Sequence, residues 1–291
     1  MATTLRSDRL PDPALGTIVD TGPRRGSHLA VFTNGEGVMK GWLIFKHAFG
    51  MVLRNWREAL QIGLVPVLLV VAFGVVVLRS AAVELFRGVN PEDMDYVFSQ
   101  PQVISGVLVV WLVAVMSMLW IVVNWHRFVL LEEFPTGWVP PFRFGPVLGY
   151  FGRIILLGLL ALLLMIPVGM VAGLLMVIPV LGVLAFGAAY VLLAIGIYRV
   201  IVILPACAVE KPISLGAAFA ATKGANFDIF ILMIVSFGAN ILLQLVILAF
   251  SAILPLLGIL VSIPVALALA LVNVSVLTTF YGHYIEGRPI E

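Results

Sequence analysis

Two long stretches of this chain contain no aspartate, glutamate, lysine or arginine: residues 154–198 and 229–285, which are 45 and 57 residues long. A helix rises 1.5 Å per residue, so roughly 20 residues cross the hydrocarbon core of a bilayer. Each stretch therefore has the length of two crossings and a tight turn. Charge is scarce throughout: 11% of the 291 residues are charged and 62% are hydrophobic, whereas soluble domains carry about 25% charged residues. A chain this apolar cannot cover itself with polar groups, so most of its surface faces lipid. The formal net charge is only +2, so nothing points to nucleic acid as a partner. A single cysteine, Cys207, excludes an intramolecular disulfide framework. No apolar core follows the early arginines, so a cleavable signal peptide is not expected. Residues 1–37 read as a disordered cytoplasmic N-terminal tail.

Chemical motifs are missing as well. There is no Gly-x-x-x-x-Gly-Lys-Ser/Thr loop, dinucleotide fingerprint or Gly-x-Ser-x-Gly elbow. His28, His47, His126 and His283 are scattered, with no His-x-x-x-His, Glu-x-x-His or cysteine pair, so neither a metal site nor a cofactor is expected. His47, His126 and His283 fall near one membrane boundary, where interfacial or core roles are the expectation. No acid or base lies near the middle of a span, which argues against an ion-coupled transporter built on a buried carboxylate.

What is present is a pattern of apolar segments. Six helices are expected at about 59–78, 103–125, 153–171, 179–204, 227–250 and 257–280, since a helix satisfies its backbone groups within one segment. The domain layout is then a tail over 1–37, a transmembrane domain over 38–286 and a short cytoplasmic C-terminus over 287–291. Basic residues alternate with these spans: 15 of the 17 fall on the side of the N-terminal tail. The 79–102 connection has only Arg79 and Arg87, against Glu84, Glu92, Asp93 and Asp95. By the positive-inside rule both termini are cytoplasmic and the protein is a multi-pass inner-membrane protein. Trp42, Trp56, Trp120 and Trp125 sit where aromatic rings anchor at headgroup level.

The spans read as three similar hairpins. Their exits are Trp125-His126-Arg127, Tyr198-Arg199 and Tyr281-Gly282-His283, followed by Glu133 with Pro135, Glu210 with Pro212 and Glu286 with Pro289. Their entries are Phe49-Gly50 to Asn55-Trp56, Phe144-Gly145 to Tyr150-Phe151 and Phe219-Ala220 to Asn226-Phe227. Both sets in register suggest an internal threefold repeat, although the exit spacings of 73 and 83 residues are not a strict period. The entry segments 38–54 and 213–225 mix aromatics with lysines. They fit either helices lying in the headgroups or short helices packed across the end of the bundle.

The second exit and third entry read Arg199-Val-Ile-Val-Ile-Leu-Pro205-Ala-Cys-Ala-Val-Glu210, then Leu215-Gly-Ala-Ala-Phe219 and Thr222-Lys223-Gly224. This text resembles the multi-helix membrane domain attached to some bacterial glycerophosphodiester phosphodiesterases, and related stand-alone bacterial membrane proteins. The resemblance spans residues 42–286 and is specific over 199–230. It implies a six-helix architecture and no reaction. The catalytic part of such fusions is a separate soluble barrel, and no segment of this chain is long and polar enough to hold one.

Four groups of residues are candidates for function. Arg127, Arg199, Lys211 and Lys223 form a modest basic rim for lipid headgroups, sparser than the roughly 4–8 clustered charges of a polybasic site. Arg199 has the alternatives of snorkelling or pairing with Glu210 or Asp228. Asn240, Gln244, Ser262 and Asn273 are the uncharged polar residues within spans. Asn240 and Gln244 share a helix face, and Gln244 and Ser262 fall at similar depth, where a hydrogen bond between helices is expected. Gly169 and Gly173 form a small-residue packing step. Pro66, Pro167 and Pro264 lie inside spans. The fold expected is an all-α, six-helix membrane bundle. The leading functional expectation is a non-enzymatic, lipid-associated scaffold or assembly factor, with membrane lipids and a membrane or cytoplasmic protein as partners. A transporter or channel for a small uncharged or amphipathic solute, and a lipid-modifying enzyme, stay open as alternatives.

Overall fold

Prolines set the two charge-free turns. Ile178 and Leu254 adopt extended conformations (φ −114° and −155°), which proline favours in the residue before it, and Pro179 and Pro255 then open the next helices. The missing proline N–H costs nothing at that position, so a helix can restart at once without a charged loop.

The computed structural model describes residues 34–79 and 101–290. Its helices are α1 (Asn34–Arg54), α2 (Trp56–Val77), α3 (Pro101–Leu131), α4 (Phe144–Leu175), α5 (Pro179–Val200), α6 (Ile203–Ala208), α7 (Leu215–Ala221), α8 (Asn226–Ile253) and α9 (Pro255–Tyr284). No strand occurs among the described residues. The tail over 1–33 and most of the 79–102 connection lie outside them. Six segments are long and apolar enough to cross a membrane: Trp56–Val77, Val103–Leu131, Phe144–Leu175, Pro179–Ala208, Asn226–Ile253 and Pro255–Tyr284.

Several helices run past the ends expected from charge. α3 continues six residues beyond Trp125, and α4 begins nine residues before Arg153. The charges do not stop the helix because each is paired within the fold. Arg153 donates to Gly149 O (3.1 Å) and Cys207 Sγ (2.8 Å). At 32 residues, α4 is about 48 Å long, more than the ~30 Å hydrocarbon core requires. The fourth span breaks after Val200 and resumes as α6.

The helices pack as three antiparallel pairs: α2 with α3, α4 with α5, and α8 with α9. α9 is central and also touches α1, α2, α3 and α6. The core is concentrated at the end of the bundle that carries the charges. There Trp125, Val202, Ile229, Leu232, Phe280 and Tyr281 are fully enclosed. Toward the opposite end the side chains point outward, with Leu163, Leu174, Leu184 and Ile253 all exposed. So much outward leucine on long helices is the surface of a protein dissolved in lipid.

α1 combines both readings of the first entry segment. Ile44, Phe45, Ala48, Met51 and Val52 form one buried face against α8 and α9. Gly41 permits the approach: a Cβ there would lie 2.6 Å from the Asp228 carbonyl oxygen. Trp42, Phe49 and Leu53 point outward beside exposed Lys40 and Lys46.

The three exits share a backbone feature. Glu132, Glu210 and Gly287 have left-handed φ of 56°, 60° and 68°, and each is followed by a proline within three residues. The entries differ: α1 has 21 residues, α7 has 7, and no helix precedes α4 over 132–143.

Candidate functional site

The exit of α3 supplies a heavily bonded side chain at the charged end. Arg127, only 6% exposed, donates from Nε and Nη2 to the two oxygens of Glu133 (2.9 and 2.6 Å). Its Nη1 donates to Glu210 Oε2 (2.8 Å) and Ala208 O (3.1 Å). Arg143 Nη2 donates to Glu133 Oε2 (2.7 Å), while Arg143 Nε is enclosed without a partner. One guanidinium thus ties α3 to the α3–α4 connection and to the turn after α6. Bonding from Arg127 and the charges of Arg127 and Arg143 hold the Glu133 carboxyl below the usual glutamate range, against burial.

Arg199 makes a different set of contacts from those expected. Nη2 donates to Phe219 O (2.5 Å), Nε to Thr222 Oγ1 (3.3 Å), and the guanidinium lies 3.5 Å from the centre of the Phe219 ring. Thr222 is fully buried and donates its one hydroxyl proton to Ala218 O (2.9 Å), with Arg199 O also within reach at 3.2 Å. The arginine clamps α7 to the end of α5. Neither acid is its partner: Glu210 pairs with Arg127, and Asp228 accepts from Tyr284 (2.5 Å). Three residues of the stretch that carries the family resemblance, Arg199, Phe219 and Thr222, thus meet one another in the fold. Lys211 is exposed and 3.9 Å from Glu286, which also pairs with Arg288 (2.7 Å). Lys223 is exposed.

The histidines separate. His126 is completely buried, with Nδ1 2.8 Å from Thr278 Oγ1 and Nε2 3.3 Å from Tyr150 Oη. Since Thr278 already donates to Val274 O (2.7 Å), the threonine accepts from Nδ1–H and the tyrosine donates to Nε2. This chain links α9, α3 and α4. Beside it Trp125 Nε1 donates to Ser275 Oγ (2.7 Å). His47 and His283 line a smaller cavity of about 190 Å³ with Thr279 and Arg288. No group of three or more His, Cys, Asp or Glu residues suited to a metal occurs among the described residues.

The polar residues within the spans are not arranged as expected. Ser262 donates to Ile259 O (2.8 Å) and Asn240 to Ser236 O (2.7 Å), both within their own helices. Gln244 is exposed and makes no hydrogen bond with Ser262, because the α8–α9 pair turns it outward. Asn273 instead lines a cavity of about 700 Å³ between α5, α8 and α9, with Tyr190, Tyr198 and Ser236. Gly169 and Gly173 are not a packing step: a Cβ at either would meet nothing within 4 Å. The far half of α4 stands clear on that side. Close approach occurs instead at Gly41 and at Gly63, which abuts Leu267.

Sequence reasoning also missed the α3–α4 connection. Phe134, Trp138, Val139, Phe142 and Phe144 are all exposed there. Their signal was legible as aromatics in a segment too short to span. Near them Trp56, Arg57, Glu58, Gln61 and Trp138 line a further recess.

These features define the class: an all-α, polytopic integral membrane protein with one charged end and one lipid-exposed apolar end. The chain matches no family model, no curated protein and no solved structure.

Proposed function

We propose that this chain is a non-enzymatic, lipid-associated scaffold of a bacterial inner membrane, with its charged end at the cytoplasmic leaflet. One observation carries the reading. Trp42, Phe49, Leu53, Trp56, Phe134, Trp138, Phe142 and Phe144 are exposed at the same end as the ion pairs. Aromatic bodies among charges match the headgroup layer, where one part of a ring is apolar and another wet. Buried Arg127 is held by Glu133 and Glu210 and buried Asp228 accepts from the Tyr284 hydroxyl, so both are engaged within the fold, as a rigid platform requires and a reacting group does not. Lys211 and Lys223, exposed on the same rim, are the cations best presented to lipid phosphates. Kinship with the membrane domain of glycerophosphodiester phosphodiesterase fusions belongs to the same proposal. The motif residues Arg199, Phe219 and Thr222 bond to each other, which supports an architectural rather than a catalytic role for that motif.

The test is purified protein assayed with a native lipid extract. Retained lipid, lowered in a Lys211→Gln, Lys223→Gln double variant, is the expected result. Solute flux through the protein in liposomes favours the transporter alternative and overturns the scaffold. Chemical turnover of a lipid favours the enzyme and overturns it equally.

A further inference from the structure

A larger cavity lies among spans, not at the rim. It is about 700 Å³ and is walled by Val191, Phe230, Met233, Ile234, Phe237 and Val276 between α5, α8 and α9. This is within the 300–1,000 Å³ range of small-molecule sites. Four polar side chains face the same space: Tyr190, Tyr198, Ser236 and Asn273. None of them makes a hydrogen bond with another described residue through its side-chain polar atoms. Tyr190 is ten residues from the end of α5, Ser236 ten from the start of α8, and Asn273 eleven from the end of α9. At 1.5 Å per residue all three lie about 15 Å from the charged end, roughly half of a ~30 Å hydrocarbon core. Water is scarce at that depth, and an unpaired amide or hydroxyl is costly there.

We propose that this groove binds one neutral lipid alcohol, with its hydroxyl at mid-depth against Asn273 and its chains along the apolar walls. This rests on the reading of the protein as lipid-associated and names the lipid class. Three features choose the ligand. No lysine, arginine, aspartate or glutamate lines the groove, so a charged headgroup would have no counter-ion. The Asn273 amide both donates and accepts. A carbonyl-only ligand such as a quinone or simple ester accepts from the amide N–H but offers no donor to the Asn273 amide oxygen, whereas a hydroxyl serves both functions. Tyr190, Ile234 and Phe237 of its lining are exposed, so the groove is open from the bilayer. Diglycerides and long-chain prenols both carry this chemistry.

The experiment uses the full chain in phosphatidylcholine nanodiscs with diazirine-bearing diacylglycerol, diazirine-bearing farnesol, the methyl ether of each, and diazirine-bearing phosphatidylglycerol. Labelled peptides are mapped by mass spectrometry. Labelling of α5, α8 and α9 groove peptides by at least one alcohol, and less by its ether, is expected, and the stronger alcohol identifies glyceride or prenol. Asn273→Leu and Tyr190→Phe should each lower it about fivefold to tenfold, the scale of one lost hydrogen bond. Both are shape-conserving changes at lipid-facing positions, and an unchanged melting temperature verifies folding. Equal labelling by alcohol and ether, equal labelling in the variants, or preference for phosphatidylglycerol overturns the proposal. A dimer that becomes a monomer in Asn273→Leu, with labelling unchanged, assigns the groove to a second copy and also overturns it. Lipid retention from native extract is measured in parallel. If retention persists without groove labelling, only this inference fails; if no lipid is retained, the scaffold reading fails too.

Discussion

Arg127 makes four hydrogen bonds to three partners while almost completely enclosed. Removing one member of a buried charged pair costs about 3–5 kcal/mol, but Glu133 and Glu210 keep partial access to water. Arg127→Met should therefore destabilise by about 2–3 kcal/mol, the range of a hydrogen bond to a charged group plus an orphaned acceptor. Arg127→Lys should recover only part of this, since an ammonium cannot grip Glu133 with two parallel bonds. Thermal unfolding in detergent reads both. The same site sets a pH dependence. The Glu133 carboxyl is held below its ordinary value in the folded protein, so its contribution is full above about pH 4.3, the unfolded value. It is lost as pH falls through the lower folded value. Melting temperature should stay level on this account from pH 7 to 5 and drop below about pH 4, and Glu133→Gln should flatten that drop. Arginines were readable in the sequence as rim charges. Their partners were not: Glu133 lies six residues from Arg127, but Glu210 lies 83 away.

Helix α1 shows how one element can serve two surroundings. Its buried face needs Gly41, where a Cβ would meet the Asp228 carbonyl, a backbone atom that cannot swing aside. Gly41→Ala should pry the start of α1 from α8, and limited trypsin digestion should then cut faster at Lys40 and Lys46. Gly169→Ala and Gly173→Ala should each be neutral or stabilise by up to about 1 kcal/mol, the gain in helix propensity where the added methyl meets nothing. A large loss in either would restore the small-residue packing reading for α4. Glycine spacing in the sequence announced a packing step, but spacing does not say which face of a helix finds a neighbour. The outcome depends on where α4 stands relative to α5, and both glycines face open space.

On the scale of the whole molecule, the six-span topology predicts which connections reach which side. With native Cys207 replaced by serine, a cysteine at Asp93, outside the described residues, should react with an impermeant maleimide from the periplasm. A cysteine at Lys223 should react only after the cytoplasmic side is opened. The reverse pattern would invert the proposed orientation and move the aromatic belt to the other leaflet. The belt gains its extent from tertiary structure, because α1, the start of α2 and the 132–143 connection are far apart in sequence and present their aromatics at one end.

The sequence by itself determined the class, the number of spans and the proline-set turns. Those follow from local quantities: hydropathy summed over about 20 residues, the absence of charge, and the backbone limits that proline places on its neighbour. Tertiary structure decided what the polar residues do. Arg199 became a clamp for α7, Ser262 bonded within its own helix, and Asn273 joined Tyr190 and Ser236 in one groove. Each outcome turns on which helix faces stand opposite each other. In apolar helices with outward leucine on nearly every side, the hydrophobic pattern carries little information about that choice.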